Sequence, residues 1–215
     1  NHYANSITPD GSNRLTSSAS SHVPFMLDQS SVDYDLTKFK PIIGSPSGGV
    51  VYTTPENAEA IENGIGDMNE TIFHAGISPT GLDLSTLLSY EVLGMDVKAV
   101  LGYEGRGPSR VAFEQGESNI DFQTTTAYNN NVQPMVDSGK AVPIYTLGQI
   151  DKNGELVRDP QFPDLPTVKE VYIDQYGEEP SGEAWEAYKQ LISASYTMNK
   201  VIWVHEDAPQ EEIDK

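Results

Sequence analysis

Glycines and small hydroxyl residues stand between apolar runs and helix-like segments at three places, residues 75–81, 103–109 and 123–126. At the start of a helix, unpaired backbone N–H groups and the positive end of the helix dipole attract a carboxylate or a phosphate, and hydroxyls add donors. In a single loop, the same residue types more often form ordinary tight turns and helix caps. Because three such loops follow one another, anion binding and plain turn formation stay about evenly matched as interpretations.

Ser78 lies in residues 76–81, which read Gly-Ile-Ser-Pro-Thr-Gly and come close to the nucleophile elbow of serine hydrolases. The second glycine is one residue late for that motif. A hydrolase also needs a histidine, and the only one that follows Ser78 is His205, with Asp121 or Asp164 to orient it. The match is poor, and an esterase-like hydrolase that uses Ser78 stands as an alternative.

The sequence contains no cysteine and four scattered histidines, His2, His22, His74 and His205. None of them has the spacing of a zinc site, so we expect no metal. His74 follows a strand-like run beside the first loop, as either a core histidine or a pocket residue. There is no Gly-x-x-x-x-Gly-Lys phosphate loop, and residues 102–107 do not fit the Gly-x-Gly-x-x-Gly spacing, so we expect no cofactor.

The chain of 215 residues carries 32 acidic side chains against 13 Lys and Arg, a formal net charge of −19. This balance excludes a nucleic-acid partner, which requires clustered cations, and docking on an anionic membrane surface. A hydrophobic content of 37% suffices for a core. No apolar run reaches the roughly 18 residues that a membrane span requires. The composition therefore indicates a globular chain, and the length suggests one or two domains.

Residues 71–147 alternate between strand-like and helix-like segments, which is the most informative pattern in the chain. The predicted strands cover residues 71–74, 97–101, 119–123 and 141–147, and the predicted helices begin at Leu82, Pro108 and about Asn130. Such a βαβαβαβ order predicts a mainly parallel sheet with right-handed crossovers. Ligands of such sheets bind beyond the carboxyl ends of the strands, where the three loops lie.

The segments on either side are less regular. The first 50 residues are turn-rich, with a serine-rich loop at residues 17–21 and short strands at 13–18 and 42–43. An apolar run, residues 49–53, leads into Thr54-Pro55-Glu56, which predicts a capped helix from Pro55 to about Asn63. Towards the end we predict a hairpin or long loop at 151–164, a helix at 182–196 and a closing strand at 201–204.

Seven segments keep one order and spacing over nearly the whole chain. They are Thr8-Pro9-Asp10-Gly11; Val32-Asp33-Tyr34-Asp35 with Phe39-Lys40-Pro41-Ile42; Gly76-Ile77-Ser78-Pro79 with Leu82; Tyr103-Glu104-Gly105 with Pro108, Ala112 and Gly116; Ile120-Asp121; Gly139-Lys140; and Phe162-Pro163-Asp164-Leu165-Pro166-Thr167. Together they resemble the solute receptors of tripartite tricarboxylate transporters, the Bug-type periplasmic binding proteins.

The chain departs from that family's pattern at two loop positions and at both ends. Gly81 replaces a loop histidine, and Glu104 replaces a lysine. The family's opening strand–helix unit is not found before Asn1, and its last helices are not found after Lys215. The chain therefore resembles a fragment that lacks both ends, and the resemblance implies an incomplete first lobe.

The resemblance implies an α/β, type II periplasmic-binding-protein-like fold, in which two lobes with mainly parallel sheets are joined by hinge strands. Residues 1–53 would form part of the first lobe, residues 54–197 the second lobe, and residues 198–215 would return to the first. Closure would bend hinge segments near Tyr52 and Asn199.

The implied function is that of an extracytoplasmic, periplasmic receptor, and not of an enzyme. It would bind a small carboxylate, either a di- or tricarboxylate or an aromatic acid, and deliver it to the membrane permease subunits of a tripartite transporter. A monomer is expected. A ligand sensor for a signalling partner is a further alternative, and the sequence does not identify the ligand.

Within such a clamp we expect the ligand to contact residues from both lobes. Ser78 and Thr80, with the loop backbone at Gly76, would hold one carboxylate. The rest of the expected site comprises Tyr103, Gly105 and Arg106 on the cleft floor, Gln123, Thr124 and Thr125 on the third side, and Ser20, Ser21 and His22 from the first lobe. Arg106 would pair with the ligand or, equally, with Glu104.

Overall fold

The structure is a computed structural model that describes residues 6, 8, 10–65 and 71–213. Four positions named above, Asn1, His2, Pro9 and Lys215, lie outside the described residues. The strands are β1 Leu15–Ser18, β2 Phe39–Ser45, β3 Gly49–Thr53, β4 Ile72–Gly76, β5 Val97–Leu101, β6 Ile120–Thr124, β7 Val142–Thr146, β8 Gln149–Ile150, β9 Leu156–Val157 and β10 Lys200–His205.

Helices alternate with most of these strands. They are α1 Ala19–Met26, α2 Pro55–Asn63, α3 Asp83–Leu93, α4 Arg106–Glu114, α5 Thr125–Ala127, α6 Gln133–Asp137, α7 Val168–Tyr176, α8 Glu183–Ser195 and α9 Gln210–Ile213. A 3₁₀ turn covers Leu36–Lys38, and a π-helical turn, Tyr128–Val132, joins α5 to α6.

The larger sheet has five strands in the order β5-β4-β6-β3-β7. β4 is parallel to β5 and to β6, as the alternating pattern predicts, but β3 is antiparallel to both of its neighbours, β6 and β7. All five residues of β3 are buried, which is typical of a central strand covered on both faces. The predicted mainly parallel sheet is confirmed here, with β3 inserted between two strands that are parallel to each other.

The smaller sheet has three strands in the order β1-β10-β2, and here too an antiparallel strand lies between two strands that are parallel to each other. Both outer strands pair antiparallel with β10, so this sheet contains no parallel ladder, whereas a mainly parallel one was predicted. The reason lies in the chain path, because β1 and β2 are parallel to each other and the returning strand β10 separates them. The prediction considered neighbours in sequence only.

The chain crosses between the two sheets at residues 46–48 and again at residues 196–199. The two crossings touch, because Ser47 N donates to Tyr196 O at 3.1 Å. Asn199 lies in the second crossing, as predicted for a hinge. Tyr52 does not lie in the first: it is fully buried in the middle of β3, and its hydroxyl donates to Asp121 Oδ2 at 2.6 Å. The hinge predicted near Tyr52 is therefore better located at residues 46–48.

The pairing of β3 also bears on the predicted boundary between residues 53 and 54. β3 ends at Thr53 and lies inside the five-stranded sheet, so a division before Gly49 fits the pairing better. The assignment of residues 54–197 and 198–215 to two lobes stays a prediction.

Caps and turn residues in the sequence account for most of the helices and strands. The structure differs from the prediction at two places. Thr54 caps α2 by accepting from Asn57 N, and Gly94 ends α3 in the left-handed region with φ of 66°, both as the sequence predicts. The short strand predicted at residues 13–18 is present as β1, but the rest of the serine-rich stretch, predicted as a loop, begins α1. Helix α7 was not predicted, although Thr167 and Glu170 form a capping box at its start.

Candidate functional site

A cleft of about 440 Å³ opens where the two sheets meet. It is lined by Ser18, Ala19, Ser20, Ser45, Pro46, Ser47, Leu82, Thr124, Thr125, Thr126, Gln161, Asn199 and Lys200. Both crossings contribute to it, as do the first residues of α1 and α5. Its size is that of a site for a small molecule.

Most of the polar side chains in this cleft have no partner in the part of the chain that the structure describes. Among the described residues, no hydrogen bond or ion pair engages the side chains of seven lining residues, Ser18, Ser20, Thr124, Thr126, Gln161, Asn199 and Lys200. Asn199 is the most informative of them, because only 3% of its surface is exposed. Its amide is not among the fully buried polar atoms that lack a partner in the described residues, so the exposed part of Asn199 includes the amide, which is available to a ligand.

The charge of the lining contrasts with the charge of the whole chain. The chain has a net charge of −19, yet no aspartate or glutamate is among the lining residues of the cleft, and Lys200 is among them. The lining therefore offers a cation, two amides and several hydroxyls. These groups suit an anionic oxygen-rich ligand.

Two helices begin at the cleft without a side-chain cap. Ser18 at α1 and Thr124 at α5 accept no capping hydrogen bond, whereas Thr54 and Thr167 cap helices that begin outside the cleft lining. At each helix start, one backbone N–H group is already bonded to a backbone carbonyl. Ala19 N donates to Asn199 O and Thr125 N donates to Gly48 O, each at 3.1 Å. The uncapped hydroxyls stay free to contact a ligand.

Three predicted site residues, Ser20, Thr124 and Thr125, line this cleft. Thr124 and Ser20 present unpartnered hydroxyls there, while Thr125 donates to Asp159 Oδ2 at 3.1 Å. Direct contact of these residues with a ligand stays a prediction.

Arg106 does not take either of the roles predicted for it. Its guanidinium turns into the lobe, where it donates to Asp83 Oδ1 at 2.6 Å, to Phe122 O at 2.6 Å and to Asp121 Oδ1. It also lies 4.6 Å from the ring centre of Phe122. Burial by itself lowers the pKa of Arg106, but the charges of Asp121 and Asp83 raise it above the ordinary value. Arg106 is thus a structural cation that pairs with neither Glu104 nor the cleft.

Asp83, which the sequence analysis did not single out, explains why the first loop is not a free anion site. Its Oδ2 accepts from Ile77 N at 2.8 Å and from Ser78 N at 3.2 Å, so the chain's own carboxylate occupies these donors. Burial raises the pKa of Asp83, but the contact with His74 and the charge of Arg106 together bring it below the ordinary value. A negative carboxylate at the start of α3 also matches the helix dipole.

The hydroxyls of that loop are engaged as well. Ser78 Oγ and Thr80 Oγ1 lie 3.1 Å apart, Thr80 N donates to Ser78 Oγ at 3.3 Å, and Thr80 Oγ1 donates to Gln29 Oε1 at 3.2 Å. Gly76 allows a close approach, because a Cβ there would lie 2.6 Å from Leu101 Cδ2. None of the three predicted residues of this loop is in the cleft lining, although Leu82 is.

The predicted site residues of the second loop and of the end of β6 form hydrogen bonds with other residues of the chain. Tyr103 donates to Glu117 Oε2 at 3.3 Å, and Gly105 O accepts from the hydroxyl of Ser109 at 3.1 Å. Gln123 is buried and its amide donates to Arg106 O at 2.8 Å. The contacts of Gly105 and Gln123 hold the start of α4, whereas the contact of Tyr103 with Glu117 lies at the surface. All three residues lie outside the cleft lining.

In the first lobe, Ser21 and His22 also lie outside the cleft lining. Ser21 O accepts from the Tyr34 hydroxyl at 2.7 Å, and the His22 ring lies 2.6 Å from Ser17 Oγ and edge-on to Trp203. Burial lowers the pKa of His22 below its ordinary value. These two residues contribute to the packing of α1 on the small sheet.

The groups of the hydrolase alternative are not brought together. No hydrogen bond joins Ser78 to a histidine among the described residues, and His205 packs edge-on to Phe39 with its Nδ1 at 3.7 Å from Asp207. His74 is buried beside Tyr90, whose hydroxyl lies 3.2 Å from His74 Nδ1, so it is a core histidine.

The residues that sequence reasoning missed come mainly from the crossings. Lys200 and Asn199 directly precede the predicted closing strand, and Ser45 and Ser47 stand between two predicted strands. The two-lobe prediction could have identified them, because a segment that connects two lobes runs beside the cleft between the lobes. Within the described residues, no group of three or more His, Asp or Glu side chains is placed to hold a metal ion, and no helix is both long and apolar enough to cross a membrane.

Solved structures share this arrangement over almost the whole chain. The periplasmic binding protein BugD is 21% identical, with a TM-score of 0.59, and the match covers 99% of this chain and 63% of that chain. An R. palustris protein solved with adipate is 19% identical, with a TM-score of 0.67, and coverage of 99% and 63%. The chain has the fold of a periplasmic binding protein.

A third structure carries the same periplasmic-binding-protein fold. It is a TctC solute-binding protein from Polaromonas, 14% identical, with a TM-score of 0.58 and coverage of 99% and 64%. The chain thus spans a little under two thirds of the length of these proteins. No protein-family model matches the sequence, and no curated protein matches it. The predicted fold class, α/β and like a type II periplasmic binding protein, is confirmed.

Proposed function

We propose that this chain is the ligand-binding part of an extracytoplasmic solute receptor that binds a small carboxylate in the cleft between its sheets. One observation carries the proposal: among the described residues, seven polar side chains in the cleft lining have no partner, and none of the lining residues is acidic. In a protein with a net charge of −19, such a cleft is suited to an anion.

The charges define how recognition would work. Long-range attraction to an anion is absent, and at physiological salt the repulsion from distant carboxylates is screened beyond about 8 Å. Binding would therefore depend on donors in direct contact with the ligand. Lys200, Asn199 and Gln161 supply charged and amide N–H donors, and the serine and threonine hydroxyls supply the rest.

The fold supports the rest of the proposal. Related structures include periplasmic binding proteins, one of them solved with adipate, which is a dicarboxylate. By analogy, the receptor is periplasmic, works as a monomer, and passes its ligand to membrane permease subunits without a catalytic step. Closure would bend residues 46–48 and 196–199, which join the sheets and touch through Ser47 and Tyr196.

Isothermal titration calorimetry of the chain with citrate, succinate, adipate and benzoate tests the proposal. We expect at least one carboxylate to bind, and its affinity to fall when Thr126→Val removes a cleft hydroxyl. The matched change Thr16→Val, at an exposed residue of β1 outside the cleft lining, should leave affinity unchanged. Binding of neutral sugars or of amines with no binding of any carboxylate would refute the proposal.

A further inference from the structure

A second cavity of about 440 Å³ lies beside β7, the strand at one edge of the large sheet. It is lined by residues of α2, α7 and β7, together with the end of α3. Its described lining shares no residue with the cleft between the sheets. The cavity is therefore separate from the site of the proposed function, and its size suits a small molecule.

Apolar side chains make up most of the lining of this cavity. Leu93 and Tyr145 are buried, and Ile144 and Val171 beside them are half-buried. The hydroxyl of Tyr145 lies 2.8 Å from Ser89 Oγ, so this polar group is already engaged within the lobe. A ligand of this cavity would therefore place an apolar body against these side chains.

The C-terminal ends of three helices meet at the cavity. Residues in the last turns of α2, α3 and α7 all line it. The helix ends also contact one another, because the Tyr176 hydroxyl of α7 donates to Leu93 O of α3 at 2.8 Å. In addition, Ile65 N, just after α2, donates to Gln175 Oε1 of α7 at 3.0 Å. Helix C-termini carry partial negative charge, so their convergence favours a cation.

The side chains at these helix ends add to the negative potential. None of the three helices has a basic residue in its last turn, whereas Glu62 of α2 and Asp174 of α7 lie there and line the cavity. Neither carboxylate forms a hydrogen bond or an ion pair with a described residue. Glu170, the third acid of the described lining, is paired with Arg158 at 2.8 Å. Acids without partners are common in this chain, but here two of them stand where helix dipoles already oppose negative charge.

The strand beside the cavity does not favour an extended peptide as the ligand. Pro143 of β7 has no N–H group, and Thr146 N already donates to Pro166 O at 2.8 Å. A metal ion is not favoured either, because the described residues include no group of three His, Asp or Glu side chains that could hold one. A small molecule with one positive charge and an apolar body fits the lining best.

We infer that this cavity binds a small organic cation, an amine with an apolar body. The ammonium group lies at the helix ends, near Glu62 and Asp174, and the body packs on Leu93 and Tyr145. The inference goes beyond the proposed function and does not depend on it. It gives the chain two binding sites of opposite charge, a cleft without acids and a cavity without bases among their described lining residues.

Calorimetry with 2-phenylethylamine and its neutral analogue 2-phenylethanol tests the inference. An alkylamine is protonated at pH 7, as a lysine is, so the two probes differ mainly in charge. In the wild-type chain we expect the amine to bind about tenfold more tightly than the alcohol. The double variant Glu62→Gln, Asp174→Asn should lower this ratio at least about threefold by weakening the amine and not the alcohol.

The control is the double variant Glu104→Gln, Glu206→Gln. It makes the same change in net charge at two exposed residues outside the lining and should keep the wild-type ratio. Asp174→Lys, also at an exposed position, is a second test and should weaken the amine further. Circular dichroism of each variant checks folding.

Two outcomes would overturn the inference. The first is an amine that binds the wild-type chain no more tightly than the alcohol, and the second is a ratio that stays the same when Glu62 and Asp174 are replaced. Neither outcome bears on the cleft, because titration with carboxylates tests the proposed function through residues that this cavity does not share.

Discussion

The guanidinium of Arg106 donates to Asp83 Oδ1 at 2.6 Å at the carboxyl end of the larger sheet. The two residues are the first residues of successive helices. Arg106 begins α4 and also binds Asp121 on β6, while Asp83 begins α3 and holds the backbone of the first loop. The side chain of Asp83 is fully buried and that of Arg106 is 11% exposed. This cluster fixes the loops at the carboxyl end of the sheet and leaves the cleft to other residues.

We expect Arg106→Met to destabilise the fold by about 3–5 kcal/mol, because it leaves Asp83 and Asp121 buried without their cation. The free energy of unfolding, measured by urea denaturation, tests this prediction. Arg110→Met is a matched control in the same helix, since Arg110 forms an i,i+4 pair with Glu114 at the surface. Its expected cost is at most about 0.5 kcal/mol. Equal costs for the two variants would show that the buried cluster is not a stabilising centre.

The sequence predicts those parts of this fold that depend on neighbours along the chain. Strand β5 at Val97–Leu101 and helix α2 at Pro55–Asn63 follow from apolar spacing and from a cap, and both match the structure. The insertion of β3 and β10 between parallel strands could not be predicted in this way. It results from the path of the chain between two sheets, and no local pattern encodes it.

The residues of the site were harder to predict than the fold, because the direction of each side chain determines whether it reaches the cleft. A glycine-rich loop with Arg106 has the same sequence whether the guanidinium faces solvent or, as here, two buried carboxylates. Thr124 was identified because its loop precedes a predicted helix, and Ser20 was named as a first-lobe residue that the family resemblance implies; both line the cleft. Lys200 was missed because a lone lysine before a strand carries no motif, and only the register with Ser18 and Ser45 shows its neighbours.

The first crossing tolerates no side chain at Gly48. A Cβ there would lie 1.7 Å from Asp159 Oδ2 and 3.0 Å from Thr125 Oγ1. Gly48→Ala must therefore displace Asp159 and break its hydrogen bond with Thr125, which lines the cleft. We expect a loss of about 1–3 kcal/mol in the free energy of unfolding, as for other overpacked sites, and weaker binding of the carboxylate.

Gly107→Ala is the control for this substitution. Gly107 lies in the first turn of α4, and a Cβ there meets nothing within 4 Å. Alanine in a helix is favoured over glycine by roughly 0.5–1 kcal/mol, so this variant should be slightly more stable and should bind normally. If a Cβ at Gly48 is crowded as the structure indicates, chemical denaturation will show a lower free energy of unfolding for Gly48→Ala and a higher one for Gly107→Ala. Calorimetry will show weaker carboxylate binding for Gly48→Ala alone.

The position of Asn199 in the cleft lining predicts a strong effect of charge in the cleft. Asn199→Asp keeps the shape of the side chain but adds a carboxylate to the wall, where it repels an anionic ligand. We expect the affinity for the carboxylate to fall at least about tenfold. Asn130→Asp, at an exposed residue of the π-helical turn, makes the same change in net charge and should leave affinity within about twofold. A comparable loss in both variants would attribute the effect to net charge and not to the cleft.

His22 predicts a dependence of stability on pH. Trp203 Nε1 donates to Ser17 Oγ at 2.6 Å, and His22 Nε2 lies 2.6 Å from the same oxygen, in a buried contact. Burial lowers the pKa of His22 in the folded state, while the unfolded chain keeps a value of about 6.5. The corresponding stability is fully present above pH of about 6.5 and is lost as the pH falls towards and through the lower folded pKa.

Melting temperatures between pH 7.5 and pH 5 test this dependence. In His22→Gln the amide oxygen can still accept from Ser17 but the group does not titrate, so we expect a smaller fall in melting temperature than in the wild-type chain. His205→Gln changes a histidine that contacts Phe39 and Asp207 at the other end of β10 and should keep the wild-type slope. Because His22→Gln leaves every carboxylate in place, the difference between its slope and the wild-type slope reports on His22. Equal slopes for His22→Gln and the wild-type chain would mean that protonation of His22 does not oppose folding.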